Sequence, residues 1–341
     1  LRHRLPQLVG TAVTTVLVAG FFISQPNRTS LMLNHTTLWR YGSISEYEIF
    51  AMDQKVVYER PGSAGRVAVL EDPEGMKSLV CGGFVEGSDG PIDMGNQRTL
   101  GSLPIVSHGS PSTVLEIGLG TGISSTAILK NAIDELDVVE INDAVPAASR
   151  TFVGDSVKKD SRVNLVLDDA RHLLLRSEKK YDAIISCPSY PLCSQVCNLF
   201  TLDFYESAAD RLNEGGVFCQ WLPEYMLRRE DLMSQLRTYQ TVFTNTYVWL
   251  AYYEGTSSRD IFVIGSRDGR LQDPQTVTAA MKQACPGVRL ELLFSPDMLA
   301  AELAGDDYAL NTDDKPILEF ATPRNNAERL VKMWSFKNAT Q

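Results

Sequence analysis

Residues 114–122 read Val-Leu-Glu-Ile-Gly-Leu-Gly-Thr-Gly, an apolar run that breaks into alternating glycines just where a helix would begin. This segment constrains the fold more than any other. An apolar run of that length is a strand buried on both faces, and a turn without Cβ atoms brings the backbone close to whatever lies beyond the strand end. The theme repeats downstream. Apolar runs at residues 113–117, 137–141, 164–167, 183–186 and 217–221 alternate with helical stretches, the pattern of a parallel sheet covered by helices on both faces. Two more runs, 247–253 and 260–265, flank Glu254-Gly255-Thr256-Ser257 and predict an antiparallel hairpin at one sheet edge, which makes seven strands in all. Upstream, the short runs 55–58, 66–70 and 78–81 are separated by Pro61-Gly62-Ser63 and Asp72-Pro73-Glu74-Gly75 and predict a small β-meander. The domain boundaries that follow are 45–105 for the meander, 106–324 for the α/β domain and 325–341 for a C-terminal tail.

Residues 5–25 carry no charge, and 8–23 are almost wholly apolar or Thr. A bilayer core takes about 20 helical residues, so the stretch reaches that length only with its ends at the interfaces. It predicts a single membrane anchor over residues 1–30, and hence a single-pass protein of an organellar or bacterial inner membrane. Two other readings compete: a secretory presequence, which the absence of a small-x-small pattern at residues 24–27 disfavours, and a buried helix, for which the Val and Thr content is poorly suited. Arg2 and Arg4 before the span against Arg28 after it place the bulk of the chain on the far side of the membrane. A first residue of Leu is expected of a processed product or a fragment.

Composition removes whole classes of function. With 32 Lys and Arg against 42 Asp and Glu, the 341-residue chain carries a net charge of −10, and it has no cationic run to hold a phosphate backbone, so no nucleic-acid partner is expected. Six cysteines are too few for a disulfide scaffold, and His3, His35, His108 and His172 have no metal-ligand spacing, so no metal is expected.

Three strand ends carry the candidate site. Gly118, Gly120 and Gly122 form the turn after the first of these strands, where helix amides would face a ligand. Glu140 ends the next strand about 20 residues on, where a carboxylate accepts both ribose hydroxyls. Asp168-Asp169-Ala170 end the third, where Asp169 can take an adenine amino group. Singly, Glu140 or Asp169 is more simply a turn residue or a helix cap. Jointly they imply a nucleoside. A nicotinamide dinucleotide competes, although it usually takes G-x-G-x-x-G, which this turn does not have.

With these residues in place the chain resembles the spermidine synthase family of aminopropyltransferases, and most closely its membrane-fused branch. The resemblance covers residues 56–324. It runs through 114–122, 138–141, Asp168-Asp169-Ala170-Arg171, 181–185, Leu199-Phe200-Thr201-Leu202-Asp203-Phe204-Tyr205 and 212–217. The segments Asn311-Thr312-Asp313-Asp314-Lys315-Pro316 and Leu318-Glu319-Phe320 resemble a motif of that branch. It implies a class I methyltransferase (Rossmann-like) fold with an N-terminal β-meander. It also implies S-adenosylmethionine or its decarboxylated form as ligand. Gly118, Gly120 and Gly122 would hold the methionine-derived chain, Glu140 the ribose, and Asp169 with Ala170 the adenine.

The transfer chemistry carries over less well. The family sets carboxylates around the acceptor amine, because the nitrogen must lose a proton before it attacks the carbon beside a sulfonium. Its Asp-Ser-Ser-Asp-Pro-like loop reads Cys187-Pro188-Ser189-Tyr190-Pro191 here, so both acids are replaced, by Cys187 and Tyr190. Thr121 replaces an Asp of the glycine turn, Glu86 stands where the family has Gln, and Asn96-Gln97-Arg98 replace Tyr-His-Glu. Cys187, Cys193 and Cys197 have no nearby His to activate a thiolate and are expected to be structural. Tyr190 and the trio Trp221, Pro223 and Tyr225 are expected to pack around the crevice. The sequence therefore predicts a protein that does not make spermidine. The favoured expectation is a catalytically degenerate, membrane-anchored structural or accessory subunit with protein partners in a membrane assembly. The alternative is an active methyl- or aminopropyltransferase on a less cationic acceptor.

Overall fold

The computed structural model describes residues 53–191, 194–255, 259–269 and 271–338. The anchor expected over residues 1–30 lies outside them, as does Cys193. Among the described residues no helix is long and apolar enough to cross a membrane.

Residues Lys55–Gln341 form one compact unit containing two sheets. The first is an antiparallel meander, ordered β1-β2-β3-β4: β1 (Lys55–Gly62), β2 (Gly65–Glu71), β3 (Lys77–Cys81) and β4 (Phe84–Ser88). Its fourth strand was not legible in the sequence, because Phe-Val-Glu-Gly-Ser mixes strand formers with residues that strands disfavour. Pairing with Ser78–Cys81 compensates.

Helix α1 (Pro91–His108) follows, started by Pro91 in its first turn and ended at Gly109, whose φ of 101° is open to glycine but strained for other residues. The second sheet then builds up from β5 (Thr113–Ile117), α2 (Ile123–Ile128), β6 (Glu135–Glu140), α3 (Val145–Val153), β7 (Val163–Leu167), α4 (Ala170–Arg176), β8 (Tyr181–Ser186), α5 (Leu202–Asp210), β9 (Leu212–Leu222) and α6 (Arg229–Val242). It closes with β10 (Asn245–Tyr253), β11 (Arg259–Ser266), α7 (Pro274–Ala284), β12 (Val288–Phe294), α8 (Pro296–Leu303) and α9 (Ile317–Asn338). Residues 325–338, set apart by sequence as a tail, continue the last helix.

This sheet has eight strands in the order β12-β10-β11-β9-β8-β5-β6-β7, so the expected seven is one too few. The parallel core β9-β8-β5-β6-β7 and the β10–β11 hairpin match expectation. The hairpin is not the edge, because β12 pairs with the far side of β10. Val-Arg-Leu-Glu-Leu-Leu-Phe alternates weakly, and only Leu290 in it is buried, so β12 leaves little amphipathic signal.

Apolar side chains pack on both faces of the sheet, as a parallel sheet requires. Val114, Val138, Ile185 and Phe262 point to the face covered by α1 and the meander. Leu115, Val139, Ile184 and Phe218 point to the other face, where Phe218 stacks on Phe243 with centroids 5.2 Å apart.

Candidate active site

Because β5, β6 and β7 are neighbours in the sheet, their carboxyl ends lie side by side, as the expected nucleoside site requires. Gly118, Gly120 and Gly122 have φ of 90°, 53° and 79°. A Cβ at Gly118 would lie 3.1 Å from the carbonyl oxygen of Cys187, and one at Gly122 would lie 3.1 Å from Val153. The turn is therefore glycine for two reasons, backbone sign and clearance. Leu119 between them packs in the core and is 3% exposed.

Glu140 closes on this turn from the neighbouring strand. Its carboxylate accepts the Leu119 amide at 3.0 Å and the Asn142 amide at 2.8 Å. Burial raises its pKa, and the amides oppose that rise. The amides of Gly120 and Ile141 act on the same carboxylate in the same sense. Asp169 does what a lone acid at that position does: it caps α4, accepting the amides of Arg171 at 2.7 Å and His172 at 3.3 Å, with Ala170 buried beneath. Among the described residues no group of His, Cys, Asp and Glu could hold a metal ion.

The loop after β8 lies on the other side of the glycine turn. Cys187 follows β8, and its amide donates to the Ile117 carbonyl. Burial pushes its thiol far up, and Glu116, Glu86 and Asp260 add to the rise, so it is not a thiolate. Tyr190 stands edge-on to Trp221 and Tyr225, with centroids 6.0 and 6.3 Å away, the packing role expected of it. Ser189 between them donates its hydroxyl to Glu86 at 2.7 Å, tying the loop to β4 of the meander. Burial raises Glu86 from 4.5 to about 7, only partly offset by that bond.

Two acids were missed by sequence reasoning. Glu116 lies in β5, fully buried, and accepts the hydroxyls of Ser124 and Ser125 at the start of α2. Asp260 lies in β11 and accepts Trp221 Nε1 at 2.9 Å, the Tyr253 hydroxyl at 2.8 Å and the Asn96 side chain. For Glu116 the available signal was a charge inside an apolar run, Val-Leu-Glu-Ile-Gly; Asp260 only opens its run and left no such signal. Thr121 of the glycine turn donates to Gln97 of α1.

The Asn311–Asp313 motif is also accounted for. Asp313 accepts both guanidinium nitrogens of Arg171 and, at 2.7 Å, the Thr201 hydroxyl. Asn311 is wholly buried and donates its side-chain amide to the Phe200 carbonyl at 2.8 Å. The segment is thus a clasp on the turn that bears Asp169.

The sequence profile described as the spermine/spermidine synthase domain matches residues 94–269, just over half of the chain. A polyamine aminopropyltransferase of Pectobacterium atrosepticum is 25% identical over 272 residues, covering 77% of this chain and 92% of that protein. A spermine synthase of Arabidopsis thaliana is 31% identical over 64% of this chain and 62% of that protein. In fold, the chain is similar to a spermidine synthase crystallised with the transition-state analogue AdoDATO, with TM-score 0.60, 19% identity and coverage of 82% and 89% of the two chains. The spermidine synthase of Thermotoga maritima gives a TM-score of 0.58 at 19% identity, covering 82% of this chain and 88% of that one. The chain belongs to the spermine/spermidine synthase family.

Proposed function

We propose that the chain binds an adenosylated sulfur compound, S-adenosylmethionine or its decarboxylated form, and that it does not transfer an aminopropyl group to a diamine of the putrescine type. Gly118, Gly120 and Gly122 take the methionine-derived chain, Glu140 the ribose, and Asp169 with Ala170 the adenine. The observation that carries this is the contact of the Glu140 carboxylate with the amide of Leu119, inside a turn of three left-handed glycines. That contact sets an acceptor for ribose hydroxyls beside a backbone with no Cβ in the way. Against a diamine stand Cys187 and Tyr190, which leave the loop after β8 with a thiol and an aromatic ring where two charged amines need anions.

Calorimetry on the full chain in mild detergent, with S-adenosylmethionine, decarboxylated S-adenosylmethionine and methylthioadenosine, tests the pocket. At least one should release heat and raise the melting temperature; silence from all three overturns the proposal. Conversion of putrescine to spermidine would overturn its second half.

A second reading keeps the fold and drops the catalysis: a membrane-anchored accessory subunit with protein partners. It is supported by the two replaced acids and by edge strand β7, which leaves Leu165 and Leu167 40% and 57% exposed. Purification in mild detergent as a lone monomer would count against it.

A further inference from the structure

The rebuilt acceptor side has a specific character. We propose that it is a pocket for an acceptor bearing one ammonium group on an apolar body, with Glu86 as the carboxylate that holds the ammonium and receives its proton. This rests on the donor site proposed above.

Position is the first support. Gly87, next to Glu86 on β4, borders the glycine turn: a Cβ there would make ordinary contact with Thr121 at 3.4 Å and with Gln97 at 3.5 Å. On the other side, Ser189 reaches Glu86 from the loop in which the resemblance places the replaced acids. Glu86 therefore stands between the donor cradle and the acceptor loop.

Charge is the second. Three other carboxylates near this crevice are already engaged: Glu140 by two backbone amides, Glu116 by two serine hydroxyls, and Asp260 by an indole N–H, a phenol and an amide. Among the described hydrogen bonds Glu86 accepts one, from Ser189, so its charge is the least compensated of the four. One such carboxylate matches one ammonium. A second ammonium at the far end of a diamine would meet the rings of Tyr190, Trp221 and Tyr225, which suit an apolar body but do not replace a buried counter-charge.

The step balances without a further reactant. The ammonium gives one proton to Glu86, and its freed nitrogen pair forms a bond to the carbon beside the sulfonium. The carbon–sulfur bond breaks with its electron pair left on sulfur, which departs as a neutral thioether. The two protons left on nitrogen stay on the product, which leaves as a secondary ammonium.

The test is titration of the full chain in mild detergent with 1-aminobutane and with 1,4-diaminobutane, each with and without saturating methylthioadenosine. The monoamine should bind at least tenfold more tightly than the diamine. E86Q should lower monoamine affinity at least tenfold, while E86D retains part of it, and in E86Q the affinity for methylthioadenosine should stay within twofold. Equal or tighter binding of the diamine, an unchanged E86Q, or no amine binding in either state overturns the inference. Monoamine binding that survives without any binding of methylthioadenosine would overturn the donor reading and leave the amine pocket standing.

Discussion

The two sides of the crevice are built by different means. The donor side is mostly backbone: three glycines of fixed sign, one carboxylate bonded to main-chain amides, and a helix cap. The acceptor side is mostly side chain: Glu86, Ser189, Tyr190, Trp221, Tyr253 and Asp260 in one connected line. Backbone geometry is fixed by the fold and cannot be exchanged residue by residue. Side chains can, so the loop after β8 is free to change its chemistry while the glycine turn is not.

The sharpest way to break this contrast is to put an acid into the loop after β8. Cys187→Asp would set a carboxylate into desolvated surroundings already shared by Glu116, Glu86 and Asp260. An uncompensated buried charge costs roughly 3 kcal/mol or more, so the variant should unfold at markedly lower denaturant. A Cys187→Asp protein as stable as the parent would show that the loop after β8 accommodates a buried charge and is not specialised against one. Next comes the donor side. Gly118→Ala meets both a φ of 90° and the Cys187 carbonyl and should cost about 1–3 kcal/mol, with methylthioadenosine binding lost. Gly120→Ala, with nothing within 4 Å and a φ of 53°, should cost only about 1 kcal/mol. The reverse order in a calorimetric series would show that clearance does not shape the turn.

A third prediction concerns pH. Glu116 is raised from 4.5 to about 7, chiefly by burial. Between those values the folded chain holds a proton that the unfolded chain has released, so stability falls as pH rises. A shift of this size is worth about 3 kcal/mol at pH 7 relative to pH 4.5. Glu86 acts with the same sign. Glu116→Gln should therefore flatten the decline in unfolding free energy from pH 5 to 7, and an unchanged slope would show that Glu116 is ionised throughout.

How much of this was legible follows from the same division. Residues 114–122 announce their strand and turn, because glycine in alternation after an apolar run has few other uses, and Glu140 follows from its distance along the chain. β4 and β12 were hidden: Glu86 and Gly87 sit in a strand held by pairing, and most of β12 lies at a half-exposed edge. Asp260 was hidden for another reason. Its donors come from residues 96, 221 and 253, and no local pattern brings these together. That network can be tested at moderate size. Trp221→Phe removes the indole N–H from a buried carboxylate and should cost about 1–3 kcal/mol in chemical denaturation; a change near zero would mean that Tyr253 and Asn96 hold Asp260 alone.

The smallest expected effect lies farthest along the chain. Asp313 and Arg171 form a bidentate pair that joins the C-terminal segment to the first turn of α4, just after Asp169. Asp313 is 38% exposed on its side chain, so solvent screens the pair, and Asp313→Asn should cost only about 0.5–1 kcal/mol globally. Its local effect should be larger, because Arg171 also donates to the Asn198 carbonyl and so steadies the loop beside Asp169, where the adenine is proposed to lie. Hydrogen exchange at the amides of Arg171 and His172, both held by Asp169, should speed up in the variant while exchange in β5 stays unchanged. Unaltered exchange at these amides would remove the motif from the donor side and leave it a surface clasp.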